Sequence, residues 1–334
     1  MSDEIDIKNK IKANSSLFIK FVKSAVTASP KVQNNFLDVT AQVALTIQKI
    51  IDDANLVVDL DYKGNDFWLK NRCKTSCFID GGVDRTSIIS SAPLSIRTGS
   101  YIVKPDAEDK HREFFEESMV FLGDLYDPKN ELYDLSDDDF DEDQMLNKKK
   151  DGARIIFEAV TIVKHILLNR KFDYCFLHGP IEATVMPFTV MGFPTFTKFA
   201  VENMLPFYNK NKLNAEARHF INVYLEALKY IKQSKFPVYG IVETSNSAPY
   251  IKNLLYTYKS KGIISDKDFR NTLSTIKKYK ITDSHLLEII LKNGQALKPL
   301  EVKKQIKGFS VTSGSAWEDK MESFPSVYIG YIKT

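Results

Sequence analysis

Two short apolar segments, each ending in a polar side chain followed by glycine, restrict the fold of this chain most strongly. Residues 76–82 have the sequence Ser-Cys-Phe-Ile-Asp-Gly-Gly, and residues 173–180 have the sequence Asp-Tyr-Cys-Phe-Leu-His-Gly-Pro. Glycine directly after a strand lets backbone, phosphate or metal approach closely. In open α/β sheets, ligands bind at the carboxyl ends of the strands. We therefore predict an α/β fold in which Asp80 and His178 share one metal-dependent active site.

Composition and charge narrow the class of protein. The 334 residues carry a formal net charge of +3 at pH 7. This charge is too small for a protein that coats nucleic acid, but it is compatible with a local basic groove. The three cysteines, at positions 73, 77 and 175, have neither the spacing of a disulfide framework nor that of a zinc knuckle. We therefore expect the protein to be located in a reducing compartment, the cytoplasm. The chain has no signal segment and no run of roughly 18 apolar residues, so we predict a soluble, cytoplasmic protein.

Hydrophobic periodicity predicts alternating helices and strands along the chain. Residues 12–58 have helical spacing, closely spaced strands follow between residues 75 and 103, and residues 108–127 are expected to form a helix. No internal repeat or long linker divides the sequence. We therefore predict an N-terminal helical segment over 1–70, followed by one domain over 71–334 with helical insertions.

One stretch of that domain, about residues 128–150, is expected to be a loop insertion. It contains an acidic run at 134–143 that is followed by three lysines, and repulsion within the run favours a solvated loop. A cation site is the alternative interpretation, although the run lacks the glycine and the terminal glutamate of an EF-hand loop.

Glu158 is the third candidate for the active site. It lies in a predicted amphipathic helix, where isoleucines at helical spacing place it at the border of the apolar face. A buried carboxylate needs a compensating partner. That partner is either Arg154, four residues earlier, or a metal ion at the strand ends. Asp80, Glu158 and His178 would give a metal two oxygen donors and one imidazole, which suits Mg²⁺ or Mn²⁺, with the imidazole favouring Mn²⁺.

Further charged residues extend the predicted site. Asp283 begins a late helix, either as the N-cap of that helix or as a fourth metal ligand. Arg85 either holds a phosphate or pairs with its neighbour Asp84. A basic surface that either follows a nucleic-acid backbone or is simply solvated is formed by Lys277, Lys278 and Lys280.

Several common catalytic motifs are absent from the sequence. It contains no GxxxxGK[ST], no GxGxxG after a strand, no HExxH and no GxSxG. ATP hydrolysis and dinucleotide chemistry are therefore disfavoured. Phosphodiester hydrolysis fits better, because two metal ions can activate water and stabilise the leaving oxygen.

The order of the motifs resembles the NurA nuclease family, the partners of HerA-type hexameric DNA translocases. Glu158 and five short segments carry the resemblance: 78–82 (Phe-Ile-Asp-Gly-Gly), 176–181 (Phe-Leu-His-Gly-Pro-Ile), 240–245 (Gly-Ile-Val-Glu-Thr-Ser), 281–287 (Ile-Thr-Asp-Ser-His-Leu-Leu) and 321–325 (Met-Glu-Ser-Phe-Pro). Together these motifs extend over about residues 75–330.

The resemblance implies an RNase H-like fold, with a mixed five-stranded sheet flanked by helices. It also implies manganese-dependent DNA cleavage, a homodimer and docking on a HerA-like ATPase, in DNA repair or in defence against phage. It further implies that Asp80 and Glu158 are metal ligands. This chain departs from the family at His178, where the better-known archaeal members have an acid, and at Glu243, where many have a lysine.

The departure at His178 keeps a second class of function open. In that class the protein is an RNase H-like module with a degraded catalytic site, which binds DNA or regulates the ATPase without cutting. A third hypothesis is a PIWI-like module that uses a guide strand. It is disfavoured because we identify no extra domain that would bind the guide.

Overall fold

The computed structural model describes residues 30–60, 65–85, 94–126, 142–181, 195–208, 213–243, 248–302 and 325–333. These residues fold into two compact units. The smaller unit takes its residues from the ranges 1–67, 243–306 and 326–334, and the larger unit from 68–242 and 307–325. None of the described helices is long and apolar enough to cross a membrane.

Helices and strands alternate along the described chain. The helices are α1 (Pro30–Asp53), α2 (Asn65–Asn71), α3 (Leu122–Leu125), α4 (Glu142–Leu167), α5 (Lys198–Met204), α6 (Phe220–Gln233), α7 (Pro249–Ser260), α8 (Asp266–Tyr279) and α9 (Asp283–Ile290). The strands are β1 (Val57–Asp59), β2 (Ser76–Arg85), β3 (Leu94–Val103), β4 (Glu113–Phe121), β5 (Tyr174–His178), β6 (Val238–Ile241), β7 (Gln295–Glu301) and β8 (Tyr328–Lys333).

The larger unit is built on a five-stranded sheet with the strand order β4-β3-β2-β5-β6. Strand β2 is antiparallel to β3, and β3 is antiparallel to β4. On its other side β2 is parallel to β5, and β5 is parallel to β6. This mixed five-stranded sheet with flanking helices confirms the predicted fold class.

The core of the larger unit lies between the sheet and helix α4. Cys77 and Ile79 of β2 and Cys175 of β5 are buried there, against apolar residues of α4 such as Ile156 and Ile162. Burying one such isoleucine stabilises the fold by about 1.5–3 kcal/mol. The apolar face of α4 therefore packs against the apolar residues of the strands, and this packing fixes the positions of β2 and β5.

The smaller unit has a separate core. Helices α1, α7, α8 and α9 enclose it, and a three-stranded antiparallel sheet with the order β1-β7-β8 completes it. This unit joins residues from the predicted N-terminal helical segment to residues from the late part of the predicted 71–334 domain.

Two predictions for the larger unit are corrected by the structure. Residues 108–127 do not form one helix: strand β4 occupies their centre, and all nine of its residues pair with β3. Backbone pairing with a neighbouring strand outweighs local propensity here. Helix α4 begins at Glu142, so the last part of the predicted loop insertion at 128–150 is helical. The acidic run itself lies almost entirely outside the described residues.

Candidate active site

Strand β2 presents alternate residues to the two faces of the sheet. Ile79 is buried toward helix α4, and Gly81 belongs to the same face: it pairs with Thr98 of β3, whose hydroxyl accepts a 3.0 Å hydrogen bond from Thr161 of α4. Asp80, between them, therefore projects from the opposite face. We call that face, which carries no part of α4, the open face.

Asp80 and His178 form a pair on the open face. Their strands run parallel and in register, and His178 is the last residue of β5. The prediction that the other strand also ends at its Asp-Gly sequence is wrong: β2 continues to Arg85 through its pairing with β3, and Asp80 lies in mid-strand, next to where the pairing of β2 with β5 ends. His178 Nδ1 lies 3.1 Å from Asp80 Oδ1, and the two side chains are 58% and 66% exposed. Because a carboxylate only accepts, Nδ1 carries the proton in this bond, which directs the other ring nitrogen, Nε2, away from Asp80. The predicted meeting of these two residues is thus present in the structure.

Glu158 reaches the same strand from the other side of the sheet. It lies on α4 and is 4% exposed, and Arg154 Nη1 donates a 2.8 Å hydrogen bond to its Oε1. The pKa of Glu158 is raised to about 7: burial is the main cause, the charge of Asp80 acts in the same direction, and Arg154 acts against the shift. Apolar side chains such as Leu177 line the small cavity beside Glu158, which accounts for the loss of solvation.

Gly81 makes this approach possible. A Cβ at position 81 would lie 2.6 Å from Glu158 Oε1 and 3.0 Å from Arg154 Cγ. Only the bare backbone of glycine leaves room for the carboxyl group under the strand. The Asp-Gly sequence therefore has two separate effects: Asp80 faces the open side, and Gly81 admits Glu158 from behind.

The three predicted ligands accordingly do not surround one point. Asp80 and His178 contact each other, and Glu158 acts on Asp80 through the sheet by its charge. Within the described part of the chain, no three His, Cys, Asp or Glu side chains are grouped closely enough to hold a metal ion. Of the two partners that the sequence left open for Glu158, the structure contains Arg154.

Asp283 has a structural position in the smaller unit. Its two carboxylate oxygens accept the backbone N–H groups of Tyr250 and Ile251, at 2.7 and 3.0 Å, at the start of α7. The N-cap of its own helix is Thr282, which forms a capping box with His285. The expectation that Asp283 caps its own helix is therefore wrong: it satisfies the open N–H groups of a neighbouring helix. Each oxygen accepts one backbone hydrogen bond there, and the role of Asp283 as a fourth metal ligand stays a prediction.

The remaining predicted residues lie on the surface or at an element end. Arg85 is the last residue of β2, and its side chain lies outside the described residues. Lys277 and Lys278 are exposed in the last turn of α8, and Lys280 is its exposed C-cap. They form a basic end to this helix, as the sequence predicted, and their role with DNA stays a prediction.

A row of buried polar residues, which was not predicted from the sequence, continues from Glu158 along α4. His165, which has no exposed surface, lies 2.9 Å from the Ser100 hydroxyl and 3.3 Å from Arg170. Arg170 in turn forms an ion pair with Glu116 of β4. Polar residues at helical spacing after Glu158 (Thr161 and His165) were the available signal. They hold α4 against β3 by satisfied hydrogen bonds.

Fold and site together define an α/β protein with a mixed five-stranded sheet, an Asp–His pair on neighbouring parallel strands and a buried glutamate behind them. No protein-family model and no curated protein matches the chain. The crystal structure of the NurA nuclease from Sulfolobus solfataricus is similar to it, with 12% sequence identity and a TM-score of 0.45, over 86% of this chain and 70% of that one.

Proposed function

We propose that this protein is a metal-dependent deoxyribonuclease that hydrolyses phosphodiester bonds in DNA. The observation that carries the proposal is the contact between Asp80 of β2 and His178 at the end of the neighbouring parallel strand β5, in a mixed five-stranded sheet. The motif order of the sequence supports the same reaction class. The two side chains are open to a large substrate, because both are more than half exposed.

A divalent cation fits the donor types of this site. Asp80 and His178 would hold it on the open face, since carboxylate oxygen and imidazole nitrogen together suit Mn²⁺, with Mg²⁺ as the second choice. Glu158 would sense such a cation only through the sheet, because its carboxyl group interacts with the charge of Asp80. When bound, such a cation stabilises charge on the phosphate and activates water.

The residues of the chain supply orientation and charge. Asp80 fixes the imidazole of His178 through Nδ1 and so directs Nε2 outward. Because Nδ1 is engaged with Asp80, Nε2 is the atom that would hold the cation, so the role of His178 is to hold and orient and not to transfer a proton. Glu158 holds charge behind Gly81 and adjusts the field at Asp80. Removing either member of the exposed pair should therefore stop the reaction without unfolding the protein.

The wider setting follows from the resemblance of the motifs. We propose a homodimer that docks on a HerA-like hexameric ATPase, which feeds it DNA in end processing or in defence against phage, in the cytoplasm. A non-cutting DNA-binding or ATPase-regulating module is the second candidate. One observation favours it: Glu158 is already paired with Arg154.

Cleavage of linear DNA by the purified protein in Mn²⁺, compared with chelator, tests the proposal. We expect Asp80→Asn and His178→Ala each to lower the rate by about 100-fold or more. Asp109→Asn is the matched control, because that carboxylate is 89% exposed and lies on the turn before β4. Cleavage that survives both site substitutions would overturn the site. Retained DNA binding without cleavage in any metal would establish the second candidate.

A further inference from the structure

Five aromatic side chains form one continuous row across the open face. Each of the five strands contributes one of them, and they are paired in register from one edge of the sheet to the other. In the order of the strands, the row consists of Phe115, Tyr101, Phe78, Phe176 and Tyr239. We call this set the aromatic row.

Four rings of the aromatic row are exposed although they are large and mostly apolar, and the fifth, Phe176, is half-buried. The exposed fractions are 60% for Phe115, 39% for Tyr101, 43% for Phe78 and 49% for Tyr239. The rings of Phe78 and Phe176 stack with centroids 5.2 Å apart, and Phe176 and Tyr239 follow at 5.8 Å. An exposed apolar patch of this kind marks a binding surface.

The aromatic row directly borders the candidate active site. Asp80 lies two residues beyond Phe78, and His178 two residues beyond Phe176, on the same face. Two residues of strand correspond to about 7 Å. Gly99 pairs with Asp80 and lies beside the aromatic row. A Cβ at position 99 would lie 2.8 Å from the ring of Phe115, so glycine leaves room for that ring.

We propose that the aromatic row stacks unpaired bases of a single-stranded nucleic acid and places the neighbouring phosphodiester beside Asp80 and His178. The role in positioning the bond rests on the proposed function; the stacking itself does not. Because all five members are aromatic and lie in register, the row presents successive flat π-faces to which bases can stack. Sheet aromatics stack two or three bases in RNA-binding domains, and stacking tolerates any base sequence.

Binding of a fluorescent oligothymidylate of about 12 nucleotides tests the stacking. The full-length protein is used in chelator, so that nothing is cleaved, and an abasic oligomer of the same length provides the same phosphates without bases. We expect Phe78→Ala and Tyr239→Ala each to weaken thymidylate binding by about 5- to 150-fold, whereas Phe78→Tyr and Tyr239→Phe retain it. Phe199→Ala is the matched control, because that ring is 74% exposed on α5, outside the sheet.

Three results would overturn the stacking. These are equal binding of the thymidylate and abasic oligomers, wild-type affinity in both alanine variants, and a change of oligomeric state in these variants without a change in binding, which would identify the row as a protein interface. The proposed function fails separately. Base-dependent binding without cleavage in Mn²⁺ would support the aromatic row and overturn the nuclease, whereas cleavage without base-dependent binding would do the reverse.

Discussion

Glu158 is a buried carboxyl group that lies directly behind Gly81 of β2. Its carboxyl group is nearly without solvent, and one arginine compensates it only in part, so the pKa remains at about 7. At neutral pH the group is therefore partly protonated. A positive charge beside Asp80 would lower the pKa of this carboxyl group. The protonation of Glu158 therefore depends on what occupies the open face.

The raised pKa of Glu158 predicts a pH dependence of stability. Between about pH 4.5 and 7 the folded state holds a proton that the unfolded state has lost, so the free energy of unfolding falls as pH rises through that window and is level above it. Glu158→Gln does not titrate. We expect the stability of this variant relative to wild type to increase by up to about 3 kcal/mol between pH 4 and pH 8.

Urea unfolding of both proteins at several pH values measures this difference. Asp283, whose pKa is also raised, contributes a slope of the same sign to both proteins, so the comparison isolates Glu158. A stability difference between variant and wild type that stays constant with pH would contradict the prediction.

At the scale of elements, the sequence predicted β2, β5, β6 and α4 because their apolar patterns are strong and local. It also predicted that Asp80 and His178 would meet, because parallel strands end at the same edge. It did not predict the face of each residue. The alternation along β2 was the missing step: with Ile79 buried, Asp80 must point to the opposite side from Gly81. Strand β4 was beyond local reasoning, since its pairing depends on β3.

Gly81→Ala tests the packing between β2 and α4. The new Cβ would collide with Glu158 and its Arg154 partner, and we expect a loss of about 1–3 kcal/mol of stability. Gly82→Ala is the matched control on the same strand, because nothing lies within 4 Å of a Cβ there. Urea unfolding of each variant measures both changes.

A double-mutant cycle identifies the cause of this loss. In a Glu158→Ala background the carboxyl group is gone, so Gly81→Ala should cost less than in wild type, with a coupling of about 1 kcal/mol. Equal costs in both backgrounds, or an equal loss in Gly82→Ala, would show that strand propensity and not the Glu158 contact is responsible.

At the scale of the whole molecule, the fold class could be predicted but the division into units could not. The smaller unit joins α1 and β1 to α7, α8, α9 and the last strands, and Val57 of β1 pairs with Leu297 of β7. Contacts between residues so distant in sequence leave no local pattern. The same holds for Asp283, whose partners at the start of α7 could not be found from its own helix.

The nearly neutral net charge means that any grip on a nucleic-acid backbone must come from local basic clusters. Lys277 and Lys278, exposed in the last turn of α8, are the predicted cluster. If they contact phosphates, Lys277→Ala with Lys278→Ala should reduce the slope of log affinity against log salt concentration by about 2, because each phosphate contact releases about one counterion. Lys280 is left unchanged, because its φ of 50° disfavours alanine.

Fluorescence anisotropy with duplex DNA over a range of salt concentrations measures this slope. The charge-preserving pair Lys277→Arg with Lys278→Arg is the control and should keep the wild-type slope. Affinity lost at every salt concentration with an unchanged slope would mean that these lysines support the fold of α8 and touch no phosphate. The slope separates the two cases because only an ionic contact with the backbone releases counterions when it forms.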